Sequence, residues 1–172
     1  MKKCCISFII IFIIILTIFT GGQSKTEDYL RIHIRANSNS YEDQSIKYQV
    51  KDKIVEYLIP IVAECTTKEK AMQLLKINIE GINETANKVL EEKGFNYKAN
   101  AQLREEEFPL RVYQNYSLES GIYDALIVEL GEAVGDNWWC VVYPPLCFSG
   151  EGEGNIKYRS KIIDIIESFN NK

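Results

Sequence analysis

From Tyr29 the chain alternates, with Leu30, Ile32, Ile34 and Ala36 on one side and Arg31, His33 and Arg35 on the other. That period of two predicts a strand with one solvated face. "ANSNS" follows as a turn-forming run, and Ser40 with Asp43 has the spacing of a helix N-terminal cap. The hydroxyl is placed to accept from an unpaired N–H, and the carboxylate to reach back to the N–H of Ser40. Ile46, Val50, Ile54, Tyr57, Leu58 and Ile61 then recur at helical spacing, giving one core-facing stripe that Pro60 ends or bends. Thr66 with Glu69 repeats the capping arrangement. Met72, Leu75, Ile79, Ile82, Ala86, Val89 and Leu90 carry helical periodicity to a stop at Gly94, with Gly81 as a dividing point between two shorter helices.

Beyond Gly94 the period returns to two. "YKANAQLREEEF", "PLRVY", "YDALIVEL" and "WWCVVY" read as strands, and the glycine-flanked "GEAVGDN" predicts an antiparallel hairpin between the last two. Tyr158, Ile162, Ile165, Ile166 and Phe169 describe a short amphipathic helix at the C-terminus. An early strand, a helical middle and a late strand meander predict a single α+β domain, with helices covering one face of a mainly antiparallel sheet.

The start of the chain follows a different pattern. Met1-Lys2-Lys3 precedes an apolar run from Cys4 to Phe19, and Thr20-Gly21-Gly22-Gln23-Ser24 supplies small and polar residues after it. This is the layout of a secretory signal, and the run lies near the upper end of the roughly 7–15 residues such a core needs and short of a comfortable membrane span. Residues 1–24 are therefore expected to be a signal peptide, with an uncleaved membrane anchor as the alternative. Residues 25–150 form the domain and residues 151–172 a C-terminal tail. Without the leader about 150 residues remain, enough for one core.

Twenty Lys and Arg stand against twenty-four Asp and Glu, a net charge of −4 that becomes −6 when Lys2 and Lys3 leave with the leader. An acidic chain without basic blocks argues against nucleic acid as a partner, and restricts membrane contact to the N-terminal segment, if it is retained. Candidate chemistry is sparse. The one histidine, His33, lies between two arginines on the face expected to be solvated and reads as an ordinary exposed residue. One histidine and scattered cysteines do not make a zinc site, so no metal and no cofactor are expected. A cysteine nucleophile with His33 as base rests on residue types alone. Glu105-Glu106-Glu107 with Asp28, Asp52 or Asp124 offers carboxylates for a glycosidase, but reads first as a solvated charge run at a strand end. The expectation is a protein that is not an enzyme.

Residues 137–148, "NWWCVVYPPLCF", concentrate the costliest side chains. On a strand, Trp138, Cys140 and Val142 share one face and Trp139, Val141 and Tyr143 the other. If helices cover only one face, Trp138 is a packing residue, and Trp139 with Tyr143 lies on the open side, where rigid aromatic rings suit a partner. A Tyr143-Pro144-Pro145-Leu146 turn, with Pro145 cis, would set Cys140 across from Cys147 at a distance a disulfide accepts, with buried free thiols as the alternative. Cys65 is left over. Arg35 and the loop from Asn37 to Ser40 are a second candidate partner surface, since loops on rigid elements often hold binding residues. Asn37→Ala would then weaken partner binding with little change in stability.

"LRIHIRANSNSYEDQSIKYQVKD" at 30–52 and "NWWCVVYPPLCF" at 137–148, in this order behind a signal segment, resemble the stage II sporulation protein R family of endospore-forming bacteria. The chain departs from the family pattern at Asn39, where the family has Asp, and at Ala133 and Val134, where it has more glycine. His33 stands where the family does not call for histidine. The resemblance implies a signalling protein made in the forespore and exported into the space between the forespore and mother-cell membranes. There it would trigger a membrane-embedded aspartic protease that removes the pro-segment of sporulation sigma factor E. The rival reading is a wall-binding or wall-active protein whose aromatic hairpin stacks on sugars.

Overall fold

The computed structural model describes residues 25–63, 65–113 and 116–146. The leader, Cys147 and the helix expected over 158–169 lie outside them. In chain order the described elements are β1 (Lys25–Arg35), α1 (Tyr41–Val62), α2 (Lys68–Ile77), α3 (Ile79–Glu92), β2 (Ala99–Phe108), β3 (Arg111–Tyr113), β4 (Tyr116–Leu118), β5 (Gly121–Leu130) and β6 (Asn137–Tyr143). None of these helices is long and apolar enough to cross a membrane.

The expected α+β fold is present: three helices lie on one face of a four-stranded sheet ordered β2-β5-β1-β6, and β3 pairs with β4 separately. Leu30, Ile32 and Ile34 of β1, Leu126, Val128 and Leu130 of β5, and Cys140 and Val142 of β6 meet Ile46, Val50, Ile54 and Leu58 of α1 and Ile82, Ala86 and Leu90 of α3 in the main core. Burying side chains of this size contributes on the order of 1.5–3 kcal/mol each, which is why the helical stripes predict the contact face so well.

Local corrections have local causes. Ser40 caps α1 by accepting from the N–H of Asp43, as expected, but the Asp43 carboxylate turns away to other partners and the N–H of Ser40 donates to Ser38 Oγ instead. Helix α1 continues through Pro60 to Val62. The cap of α2 is Thr67, one residue later than Thr66. The helical middle divides at Asn78 rather than Gly81: the Asn78 amide donates to the Leu74 carbonyl at 2.8 Å and accepts from Tyr57 Oη at 3.2 Å. Helix α3 stops at Gly94, with φ +79, as predicted.

The predicted hairpin between "YDALIVEL" and "WWCVVY" does not form. β1 lies between them, parallel to β5 and antiparallel to β6. The reason is the apolar content of β1, which buries best in the middle of the sheet, and the "GEAVGDN" segment crosses over its end to reach the far side. That crossing is tight. Gly135 N donates to the Ala36 carbonyl at 2.9 Å, and a Cβ on Gly135 would lie 2.2 Å from the Ser38 carbonyl oxygen. Gly131 adopts φ +58 against the Asn37 side chain, and Ala133 has φ +55, a left-handed conformation in which glycine is the less strained residue.

The face of the sheet away from the helices is not solvated. β2 and β5 pair from Ala99 opposite Leu130 to Phe108 opposite Gly121, and the end of this ribbon bends back across the sheet. Phe108 meets the rings of His33 and Tyr123, and Arg111 of β3 reaches Trp139 at the opposite edge. Arg31 is fully buried and His33 is 4% exposed as a result. A second small core of Phe108, Tyr123, Ala125 and Ile127 lies there, with Tyr29 and Trp139 against it.

Candidate functional site

Two polar clusters stand out, one in the loops beyond the C-terminal end of β1 and one on the face of the sheet away from the helices. The first joins the strand-to-helix loop to the crossing loop. Asp43 accepts from Asn37 Nδ2 at 2.8 Å, Ser38 Oγ at 2.5 Å and Tyr97 Oη at 2.5 Å. Asn37 Oδ1 accepts from the N–H of Glu132 at 2.9 Å, and Asn39 Oδ1 from the N–H of Asp136 at 2.6 Å. Burial raises the Asp43 carboxyl, but the bonds from Ser38, Tyr97, Asn37 and Ser40 outweigh it and hold it below its ordinary value. Burial, then the bond to Asp43, pushes the Tyr97 phenol up. Lys47 is buried nearby, its pKa lowered by burial, and donates to Gln44 and to the Asp136 carbonyl. Asn37 is thus a clamp residue, and the small stability cost expected for its replacement does not fit its two bonds.

The second cluster occupies the far face of the sheet. Glu106 Oε1 meets His33 Nδ1 at 2.5 Å and Arg35 Nη2 at 2.8 Å, while Oε2 accepts from Arg104 at 2.9 Å. Glu129 takes the remaining Arg35 and Arg104 donors at 3.1 and 2.9 Å. Burial raises the Glu106 carboxyl, yet its bonds to His33 and Arg104 and the nearby charges bring it below its usual range. Arg31 lies over the Phe108 and Tyr123 rings at 4.1 and 4.8 Å. His33 is sandwiched further by Trp139, its ring stacked at 5.1 Å. Its Nε2 lies beside the Asn137 side chain without a well-directed hydrogen bond.

His33 is therefore a buried, engaged residue, not the exposed one expected, and Glu106 is not part of a solvated run, although Glu105 and Glu107 are exposed. Cross-strand neighbours explain the miss. Gln102, Arg104, Glu106 and Phe108 alternate along β2, but their partners come from register with β5 and from the bend of the ribbon, which no local pattern encodes.

Burial lowers the pKa of His33 below 6.5, against the raising effect of Asn137 and Glu106. A histidine with a depressed folded pKa binds fewer protons folded than unfolded, so its share of stability is complete above the ordinary value and declines as pH falls through it. Asp43 and Glu106 add losses only at lower pH, below their ordinary 3.8 and 4.5. Thermal melts between about pH 7.5 and 5 are expected to show falling stability in the wild type and a flatter profile in His33→Gln.

The tryptophan pair splits as predicted. Trp138 faces the helix-side core with Cys140 and Val142, and Lys51 Nζ lies 5.7 Å from its ring centroid. Trp139 faces the other side, but both of its ring faces are occupied, by His33 and by the Arg111 guanidinium at 3.8 Å. Tyr143 is not beside it. The pairing shifts from Arg31 opposite Val141 to Leu30 opposite Tyr143, and this bulge turns Tyr143 into the helix-side core, where its hydroxyl donates to the Thr66 carbonyl at 2.6 Å. The cis peptide precedes Pro144, not Pro145. Arg35 is partly exposed and committed to Glu106 and Glu129. Cys65 is buried, its Sγ 3.7 Å from the Ile61 carbonyl oxygen, while the pairing of Cys140 with Cys147 falls outside the described residues. No group of three or more His, Cys, Asp or Glu among the described residues is arranged to hold a metal.

No solved structure matches the chain. A curated relative, stage II sporulation protein R of Bacillus subtilis (strain 168), is 33% identical over 119 residues, 69% of this chain and 53% of the relative. The chain thus spans about half the length of that relative. The family model described as stage II sporulation protein R matches residues 26–153, which include every described strand and helix apart from the first residue of β1. This chain belongs to the stage II sporulation protein R family.

Proposed function

We propose that this chain is a signal and not an enzyme. Exported from the forespore into the space between the two membranes, it activates a membrane-embedded aspartic protease of the mother cell, which processes the pro-form of sigma factor E. The observation that carries this reading is the family match across residues 26–153. The mutual engagement of the far-face groups supports the signalling role: Glu106 bonds His33, Arg35 and Arg104, and Glu129 Oε1 bonds both arginines, an arrangement suited to fixing a surface rather than to moving protons on a substrate. The leader supports export. Contact with the membrane runs through residues 1–24 only where they are retained, and no nucleic acid is involved.

Deleting the gene in a sporulating strain tests the reading. Accumulation of uncleaved sigma-factor precursor is expected; normal processing contradicts it. We also propose a Cys140–Cys147 bridge in the exported protein. Peptide mass mapping without reductant is expected to recover the two cysteines linked and Cys65 as a thiol, and alkylation of Cys140 and Cys147 in the folded chain would remove the bridge.

A further inference from the structure

The chain has one histidine, His33, and the fold encloses it. Its Nδ1 meets Glu106 Oε1 at 2.5 Å, and Glu106 is also bonded to Arg35 and Arg104. With Nδ1 donating to that carboxylate, Nε2 carries the lone pair of the neutral ring and is the place for a second proton. Nε2 is buried without a well-directed hydrogen bond, the Asn137 side chain lying beside it. Trp139 stacks on the ring, and Phe108 meets it at an edge.

Charged groups face this position from four strands: Arg31 and Arg35 of β1, Arg104 and Glu106 of β2, Arg111 of β3 and Glu129 of β5, while β6 contributes the neutral Asn137 and Trp139. Glu106, the carboxylate in contact with the ring, is already shared with two arginines. A proton on Nε2 therefore creates a buried N–H with no acceptor in place and adds a cation to an arginine-rich face.

The ribbon is the part that can yield. Among the described residues β3 pairs with β4 alone, and a two-stranded ribbon has little stability of its own. It is held against the sheet by Phe108 at the end of β2, by the buried Leu118, and by the Arg111 guanidinium 3.8 Å from the Trp139 ring centroid. None of these residues belongs to the helix-side core, so the ribbon can open while the domain stays folded.

We propose that His33 is the catch of an acid-sensitive strap: β3 and the Phe108 end of β2 stay closed over the neutral ring, and a proton on Nε2 opens them. Opening gives the new N–H and its charge access to water and bares the outer face of Trp139, so the surface the chain presents on this side is set by pH. Burial lowers the pKa of the ring below 6.5, outweighing the raising influence of Asn137 and Glu106. The closed form accordingly loses stability as pH falls below that ordinary value. Glu106 keeps its charge over this range, being held below 4.5.

Hydrogen exchange of the exported chain, followed peptide by peptide and corrected for the intrinsic pH dependence of exchange, tests the strap. Between about pH 7.5 and 5, protection in peptides covering Phe108 to Val112 is expected to fall about tenfold or more, the scale of one buried donor left without an acceptor. Peptides of α1 and β5 are expected to keep theirs. His33→Gln retains an amide donor for Glu106 and takes up no proton, and its β3 protection is expected to be equal at the two pH values. Unchanged β3 protection in the wild type, an equal loss in α1 and β5, or the same loss in His33→Gln overturns the proposal. Where the variant folds poorly, the single histidine decides in the wild type: its ring-proton NMR titration is expected to coincide with the loss of β3 protection, and a loss centred at a different pH overturns the proposal.

Discussion

Replacing Asp43 with alanine is expected to destabilise the domain by about 3 kcal/mol or more, the largest effect of any single polar substitution outside the far face. The carboxylate is buried and accepts from Asn37, Ser38 and Tyr97. Each bond to a charged acceptor is worth about 1.5–3 kcal/mol, and the donors left behind are themselves partly buried. Asp43 also lies in the first turn of α1, where the helix dipole favours negative charge. Its loss would loosen Asn37, which holds the N–H of Glu132, and with it the loop that carries the chain over β1. Urea unfolding measures the effect, with Tyr97→Phe as a milder companion. A shift under about 1 kcal/mol for Asp43→Ala would show that the clamp is redundant. Signal lost in Asn37→Ala is informative only against the fraction of protein still folded.

Trp139→Ala is expected to cost about 2–4 kcal/mol, comparable to Trp138→Ala and no smaller. The strand alternation led to a different expectation, in which Trp139 stood on an open face and its removal spared folding. In the structure its ring lies between His33 and Arg111, and truncation opens a cavity under the buried His33 while removing the cation–π contact that ties the β3 arm to β6. Melting temperatures of the two alanine variants check this. A Trp139→Ala protein as stable as the wild type would mean that the arm is held by other contacts and that the ring is free for a partner.

Most of the helix-side architecture was legible because each element carries its own period. The stripe from Ile46 through Leu58 and the alternation of Leu30, Ile32 and Ile34 each identify a buried face without reference to anything distant. What local patterns lack is the order of strands. "GEAVGDN" is compatible with a hairpin, and only the competition of β1 for the central position turns it into a crossing loop. The far face departs from the pattern for the same reason: Arg31 and His33 are polar, so the alternation points to solvent, yet a ribbon that bends back by way of Phe108 covers them, with Arg31 over the Phe108 and Tyr123 rings and His33 bonded to Glu106. The bulge that moves Tyr143 to the helix side is set by its pairing with Leu30, which leaves no mark in "WWCVVY". Cap positions off by one, Thr67 for Thr66, reflect two adjacent threonines with equal chemistry. The candidate site was legible as a segment, residues 137–143, but not as an arrangement, since its ring partners His33, Lys51 and Arg111 come from three other elements.

We propose that this chain, once outside the membrane, is sufficient to switch on the protease. Co-producing the chain, the protease and the sigma-factor precursor in a bacterium that does not sporulate tests it most directly, with precursor size read by immunoblot. The account predicts cleavage when the chain carries its leader and none when residues 1–24 are deleted so that the chain stays inside the cell. Cleavage independent of the chain, or equal cleavage with and without the leader, would contradict it.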